Sequence, residues 1–326
     1  VARAAANVGP GTVIRFPISW FAVQPHCLPS DSPMSCSSPQ AFNWTPYDTA
    51  LATLHDYPVR LLPIAWAAPS WAWSLYEQPL SYYDTIMPPA DTNFATGAFA
   101  TFAAALVDHL KATGWSGRIA GLEIWSEENG ATSWTSNAGP DPARYARLFC
   151  RASTAVRAGD RNLPIIFGGM GAPARTQQGT TYTLSDFLSA AYAAAPIASC
   201  ATSIGVHAGT DAAFPPDDPR SGFLSVLDQA RAVTAAYGDS TRPLAITEFG
   251  YYSLVGLSTP QQQAERDVQG YLMAAKRSDV PLVIINTLFD LPSQIRGRQP
   301  LAYGVFAGPQ QPRPAADALR QTASTG

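Results

Sequence analysis

The chain has 326 residues, 46% of them hydrophobic, and a formal net charge of −3. That length suits a single α/β domain spanning residues 1–326, with apolar content for a sizeable core. The slightly acidic balance leaves no basic face for nucleic acid or anionic lipid, and no apolar run reaches the ~18 residues that a membrane span requires.

Residues 1–7 read as the end of a helix, and short apolar runs then alternate with helical patterns along the chain. The runs at 12–19, 59–66, 119–125, 164–168, 203–207, 243–247 and 281–289 are candidate strands. Most are nearly continuous in apolar residues, as parallel strands covered on both faces are. Between them, Phe99, Phe102, Leu106 and Leu110 recur at helical spacing and mark a helix packed on the sheet. Asp141 and Pro142 form an N-cap with proline at the first helical position, and Tyr145, Leu148, Phe149 and Val156 continue one face. Thr259-Pro260 opens a further helix, with Gln262 placed to complete a capping box.

This alternation predicts an α/β fold of the (β/α)8 TIM-barrel type. An open doubly wound sheet is the competing architecture. It usually carries a Gly-rich phosphate loop after its first strand; the nearest stretch, 168–171, does not match the dinucleotide fingerprint. Seven strands are legible, so a complete barrel needs one more, lying upstream of residue 1 or too irregular to read.

The four cysteines, Cys27, Cys36, Cys150 and Cys200, include no C-x-x-C pair, and the four histidines show no metal-ligand spacing, so neither a metal nor a cofactor is expected. An even count permits two disulfides, with Cys27 and Cys36 flanking a Pro- and Ser-rich loop; four buried thiols are the alternative. The sequence opens on Val1 without an initiator Met, as removal of an export signal or trimming of the chain would leave it. Lysine is scarce beside Arg and Ala, a composition typical of a GC-rich bacterium. Together these features predict a secreted bacterial protein, extracellular or periplasmic.

Barrel enzymes carry their chemistry at the C-terminal ends of strands. Two apolar runs end on a carboxylate there: Leu122-Glu123-Ile124-Trp125 runs into Ser126-Glu127-Glu128, and Leu244-Ala245-Ile246-Thr247 runs into Glu248. Two carboxylates across a cleft are what glycoside cleavage needs, one protonated to donate to the leaving oxygen and one ionised to attack the anomeric carbon. The charge on one raises the proton affinity of the other.

Trp125-Ser126-Glu127-Glu128-Asn129 resembles the W-N-E-P-N acid/base motif of clan A glycoside hydrolases, family 39 in particular, and Ile246-Thr247-Glu248-Phe249-Gly250 resembles the group's I-T-E-x-G nucleophile motif. Further likenesses follow in order. Arg15-Phe16-Pro17-Ile18-Ser19-Trp20 with Val23-Gln24-Pro25 resembles V-R-F-x-x-x-W…V-x-P, and Pro69-Ser70-Trp71-Ala72 resembles P-x-W-A. Val206-His207 matches a sixth-strand V-H, while Tyr303-Gly304-Val305 and Arg313-Pro314-Ala315 resemble Y-G-L and K-P-A.

The resemblance implies a retaining glycoside hydrolase with Glu127 as acid/base and Glu248 as nucleophile. It implies that Arg15 supports the nucleophile, where the alternative is a structural ion pair, and that His207 lines the sugar site, where the alternative is a satisfied structural histidine. It places Arg15 on strand two, so that the strand missing here is strand one.

Two departures bear on the substrate. Ser126 stands where the family has an Asn that contacts the sugar 2-hydroxyl, and residues 284–290 carry no Trp where strand eight often supplies a sugar platform, leaving Phe289 as the substitute. Glu128 replaces the motif proline and is expected to face solvent, with substrate binding as the alternative. Asn129, Tyr251 and Tyr252 are further cleft candidates, as are Trp20, Trp66, Trp71, Trp73 and Trp134, whose rings stack on sugar C–H faces or else pack the loops. At least two of these tryptophans are expected to line the cleft. The segments 25–44 and 70–93 are long enough to wall a groove, which favours internal cleavage of a polymer. The substrate expected is an oligo- or polysaccharide and the protein a monomer. The alternatives on this scaffold are a catalytically silent carbohydrate-binding barrel and a transglycosidase using the same site.

Overall fold

The structure is a computed structural model describing residues 11–27, 40–77, 86–173, 175–208, 213–290, 295–296, 299–308 and 310–325. Seven parallel strands form one sheet in chain order: β1 (Val13–Ser19), β2 (Arg60–Trp66), β3 (Leu122–Ser126), β4 (Ile165–Met170), β5 (Ser203–Ala208), β6 (Leu244–Phe249) and β7 (Leu282–Ile285). The helices α1 (Thr45–His55), α2 (Asn93–Leu110), α3 (Pro142–Gly159), α4 (Leu184–Ala194), α5 (Phe223–Ala236), α6 (Pro260–Ala275) and α7 (Pro314–Thr325) alternate with them. This is the TIM-barrel architecture, with seven strands in its parallel sheet among the described residues. The expected eighth would precede β1, and residues 1–10 lie outside the described residues.

Local signals explain the helices. Asp141 accepts from the Arg144 amide ahead of α3, and Thr259 and Gln262 close a full capping box on α6. The stripe Phe99, Phe102, Leu106 and Leu110 is buried, as are Tyr145, Leu148, Phe149 and Val156 on α3. These faces and the outward residues of the strands form the main core. Inside the barrel, Leu62, Ile166 and Ala245 pack with Val13, Leu282 and Ile284 as an apolar floor. Since strand residues alternate between faces, Arg15 stands on the same side of β1 as Val13, one step nearer the C-terminal mouth.

Every residue of β3, β4 and β5 is buried, whereas β1 and β7, which end the sheet, are largely half-buried. β7 is shorter than the run 281–289 suggests. The chain leaves the sheet after Ile285, and Asn286 turns its side chain to Glu248. Cys150 and Cys200 form a disulfide tying α3 to the short helix Ile197–Cys200. Cys27 is disulfide-bonded as well, while Cys36 lies outside the described residues. Among the described residues no helix is long and apolar enough to cross a membrane.

Candidate active site

The exit of β3 is built by its backbone. Trp125 and Glu127 have φ of 69° and 52°, in the left-handed region that side-chain-bearing residues seldom occupy. Each such residue costs about 1–3 kcal/mol and persists only where its surroundings fix it. Here the Glu127 amide donates to the Gly169 carbonyl at 2.8 Å, the Gly130 amide donates back to the Glu127 carbonyl at 2.9 Å, and the Trp125 indole donates to the Ser133 carbonyl at 2.7 Å. The twist sends consecutive glutamates apart. Glu127 lines the cavity with 41% of its side chain exposed. Glu128 is 0% exposed, and neither of its carboxyl oxygens has a partner among the described residues. The expectation that Glu128 faces solvent is therefore corrected: the reversed turn buries it against Gly168. Burial foremost, with the charges of Glu123 and Glu127 and against its own backbone amide and Arg15, pushes its carboxyl well above the ordinary 4.5, which favours the neutral acid.

Gly168 and Gly169 on β4 make this packing feasible. A Cβ on Gly168 would stand 2.5 Å from Glu128 Oε2, and one on Gly169 would stand 2.2 Å from Thr247 Oγ1 and 2.3 Å from His207 Nε2. The stretch that failed as a phosphate loop thus serves close approach of side chains.

Glu248, at the end of β6, accepts from Asn286 Nδ2 at 2.7 Å and from Arg15 Nη1 at 3.2 Å. The first partner of Arg15, however, is Glu123. This fully buried β3 carboxylate takes its Nε at 2.6 Å and Nη2 at 3.0 Å, and also accepts from the Gly169 amide at 2.9 Å. Burial opposes the charge of Arg15, but Glu123 foremost, with Glu248 and Glu127, outweighs it and holds the guanidinium charged. Arg15 also donates to Ser126 Oγ at 2.8 Å. A register shift between β5 and β6 at Val206/His207 sets His207 beside Glu248. His207 Nδ1 lies 3.0 Å from Glu127 Oε1 and 3.9 Å from Glu248 Oε2. The separation of those two oxygens therefore cannot exceed the sum of these distances, about 7 Å. The hydrogen bond from His207, against burial and with the charges of His207 and Arg15, holds Glu127 below the ordinary carboxylate range.

A cavity of about 810 Å³ opens here, lined by Arg15, Trp66, Ser126, Glu127, Glu248 and Asn286. The other candidates lie elsewhere. Trp20 is fully buried, its ring against Trp71 and Phe102 and its Nε1 bonded to Gln24. Trp71 is buried beside it and donates to the Gln24 carbonyl. Trp134 is buried, and Trp73 is half-buried with its Nε1 on the Ala68 carbonyl. Tyr251 is buried behind the sheet, its ring against Phe249. Phe289 is half-buried against Phe306 in a separate cluster. Asn129 spends its side chain on the Gly171 amide and carbonyl and the Tyr182 carbonyl. Of the five tryptophans only Trp66 lines the cavity, because the loops bearing the others fold back onto the helix layer. Tyr252 packs on Tyr303, whose hydroxyl burial, together with the charges of Tyr252 and Glu248, pushes up to about 12. The segments expected to wall a groove lie partly outside the described residues.

Sequence reasoning missed Glu123 and Asn286. A charged residue inside an otherwise apolar strand signals a buried partner, which points to Glu123. Asn286 follows an apolar run as Glu127 and Glu248 do.

No protein-family model matches the chain, and no curated protein matches it. Among solved structures, it is similar to a family 39 glycoside hydrolase from Xanthomonas axonopodis pv. citri, at TM-score 0.62 and 17% identity over 87% of this chain and 55% of that one. It is similar to a monomeric β-xylosidase from Caulobacter crescentus, at TM-score 0.68 and 17% identity over 98% and 63%. It is also similar to a family 5 glycoside hydrolase from Bifidobacterium longum subsp. infantis, at TM-score 0.63 and 14% identity over 99% and 72%. The chain thus spans 55% and 63% of the length of the first two. At these identities the likeness establishes the fold: the chain has the TIM-barrel architecture of glycoside hydrolases of the family 39 and family 5 kind.

Proposed function

We propose that this chain is the catalytic domain, residues 1–326, of a secreted retaining glycoside hydrolase acting on an oligo- or polysaccharide. The observation that carries the reading is the pair Glu127 and Glu248, delivered from β3 and β6 to one cavity and within 3.0 and 3.9 Å of the same imidazole nitrogen. An upper bound of about 7 Å on one oxygen pair accommodates the ~5–5.5 Å of retaining pairs. The shared architecture, with a β-xylosidase among the similar structures, supports a glycosidic substrate; that enzyme is a monomer, and a monomer is proposed here.

In the first half-reaction Glu127 gives its proton to the glycosidic oxygen as a Glu248 oxygen bonds to the anomeric carbon and the aglycone leaves. Arg15 and Asn286 donate to the two Glu248 oxygens and so hold the carboxylate aimed. In the second half Glu127, now a carboxylate, takes a proton from water, whose oxygen displaces Glu248 from the same carbon. Ser126 accepts from Arg15 and so keeps its own O–H to donate to the sugar.

A polysaccharide panel with product sizing tests the activity. Glu248→Ala should lower turnover by at least ~10³-fold, the scale lost with a covalent nucleophile, and azide should restore cleavage of an activated glycoside with an inverted azide product. Full activity in Glu248→Ala would overturn the assignment.

A further inference from the structure

The resting geometry poses a conflict for the reaction proposed above, on which this inference rests. The acid must start protonated, yet His207 favours the charged form of Glu127. The imidazole's other side explains the arrangement. His207 Nε2 lies 3.5 Å from Arg15 Nη2, and a guanidinium only donates. Nε2 must then be the acceptor, which leaves the hydrogen on Nδ1. Nδ1 faces two carboxylates that only accept when ionised, at 3.0 and 3.9 Å. Both sides of the ring favour the same arrangement, with a hydrogen on Nδ1.

The ring is 6% exposed and set against the bare Cα of Gly169. The carboxylates are the freer partners, with side chains 41% and 32% exposed. We propose that His207 is a fixed, shared hydrogen-bond donor that serves whichever of Glu127 and Glu248 bears the negative charge in each half-reaction. At the outset the charge sits on Glu248. Forming the glycosyl ester removes it there and creates it on Glu127, and hydrolysis sends it back. One N–H between the two oxygens serves both states without the ring turning, the Glu248 side chain closing from 3.9 Å to hydrogen-bond distance when it bears the charge. The charged groups facing the ring are Arg15 from β1, Glu127 from the exit of β3 and Glu248 from β6, with Glu123 of β3 behind Arg15 and Glu128 packed against Gly168. β4 presents glycines there. His207 is accordingly a positioning residue.

Two measurements test this. In the wild-type protein, ¹⁵N spectra of His207 should show Nδ1 protonated and Nε2 bare near neutral pH; the opposite tautomer overturns the proposal and needs no variant. In ¹³C-carboxylate spectra, with Glu127 identified by Glu127→Gln, His207→Phe should raise the pH at which Glu127 titrates by about one unit, the scale of losing one hydrogen bond to a charged group. The upper limb of kcat/KM against pH should move with it, and His207→Asn, which keeps a donor near Nδ1, should restore part of the shift. An unmoved Glu127 titration in folded His207→Phe overturns the proposal while leaving the glycosidase reading intact. A wild-type protein inert on every glycoside defeats that reading, yet both spectra still report on His207.

Discussion

Glu128 lies with both carboxyl oxygens unpartnered among the described residues and its whole side chain out of water. Its proton affinity is raised in the folded state, so the native protein holds a proton that the unfolded chain releases above the ordinary 4.5. The native state then binds more protons than the unfolded one, and stability falls as pH rises from about there, by up to about 1.4 kcal/mol per pH unit, until Glu128 ionises. Buried Asp267 on α6 adds a contribution of the same sign. Glu128→Gln should flatten its share of the decline in urea midpoints across pH; an identical slope in the variant would refute the neutral-acid assignment. Arg15→Ala leaves Glu123 buried and unpaired, which should cost about 3–5 kcal/mol of stability. A loss under about 1 kcal/mol would mean Glu123 does not depend on Arg15. At this scale the sequence was legible where a carboxylate terminates an apolar run, as Glu127 and Glu248 do. It was not legible at Glu128, because alternation along a strand says nothing about a left-handed turn at its exit.

At the scale of elements, β3 and β4 act as one unit. The reversed turn at Trp125 and Glu127 is held by the Gly169 carbonyl, while the absence of side chains at Gly168 and Gly169 admits Glu128 and His207. Gly169→Ala inserts a methyl 2.2–2.3 Å from Thr247 Oγ1 and His207 Nε2. Overpacking of this kind typically costs about 1–3 kcal/mol, and here it also displaces His207. The variant should unfold at a lower midpoint and lose activity disproportionately; wild-type turnover would show that the ring's position does not matter. The disulfide between α3 and the following short helix closes a sequence separation of 50 residues. Replacing Cys150 and Cys200 together by Ala should lower stability by about 2–4 kcal/mol, read from the urea midpoints of the variant and the wild type. Strand positions and capped helices were readable because apolar periodicity and caps are local. The fate of the tryptophans was not: a ring near a strand exit is equally compatible with the cleft and with the helix layer, and Trp20 folds back against Phe99 and Phe102 with Trp71 packed on Trp20.

For the molecule as a whole, the sheet curls until the carboxylates of β3 and β6 share a cavity with β1 and β7. An apolar floor of Leu62, Ile166 and Ala245 underlies a polar layer of Arg15, Glu123 and His207. That layering brings the two candidate carboxylates to short range, which supports the central proposal, double displacement through Glu248. The stereochemistry of the first-formed product is its most direct measure. ¹H NMR of a glycoside identified by the substrate panel, followed before mutarotation, should show the anomer of the substrate retained. First release of the opposite anomer would contradict the account.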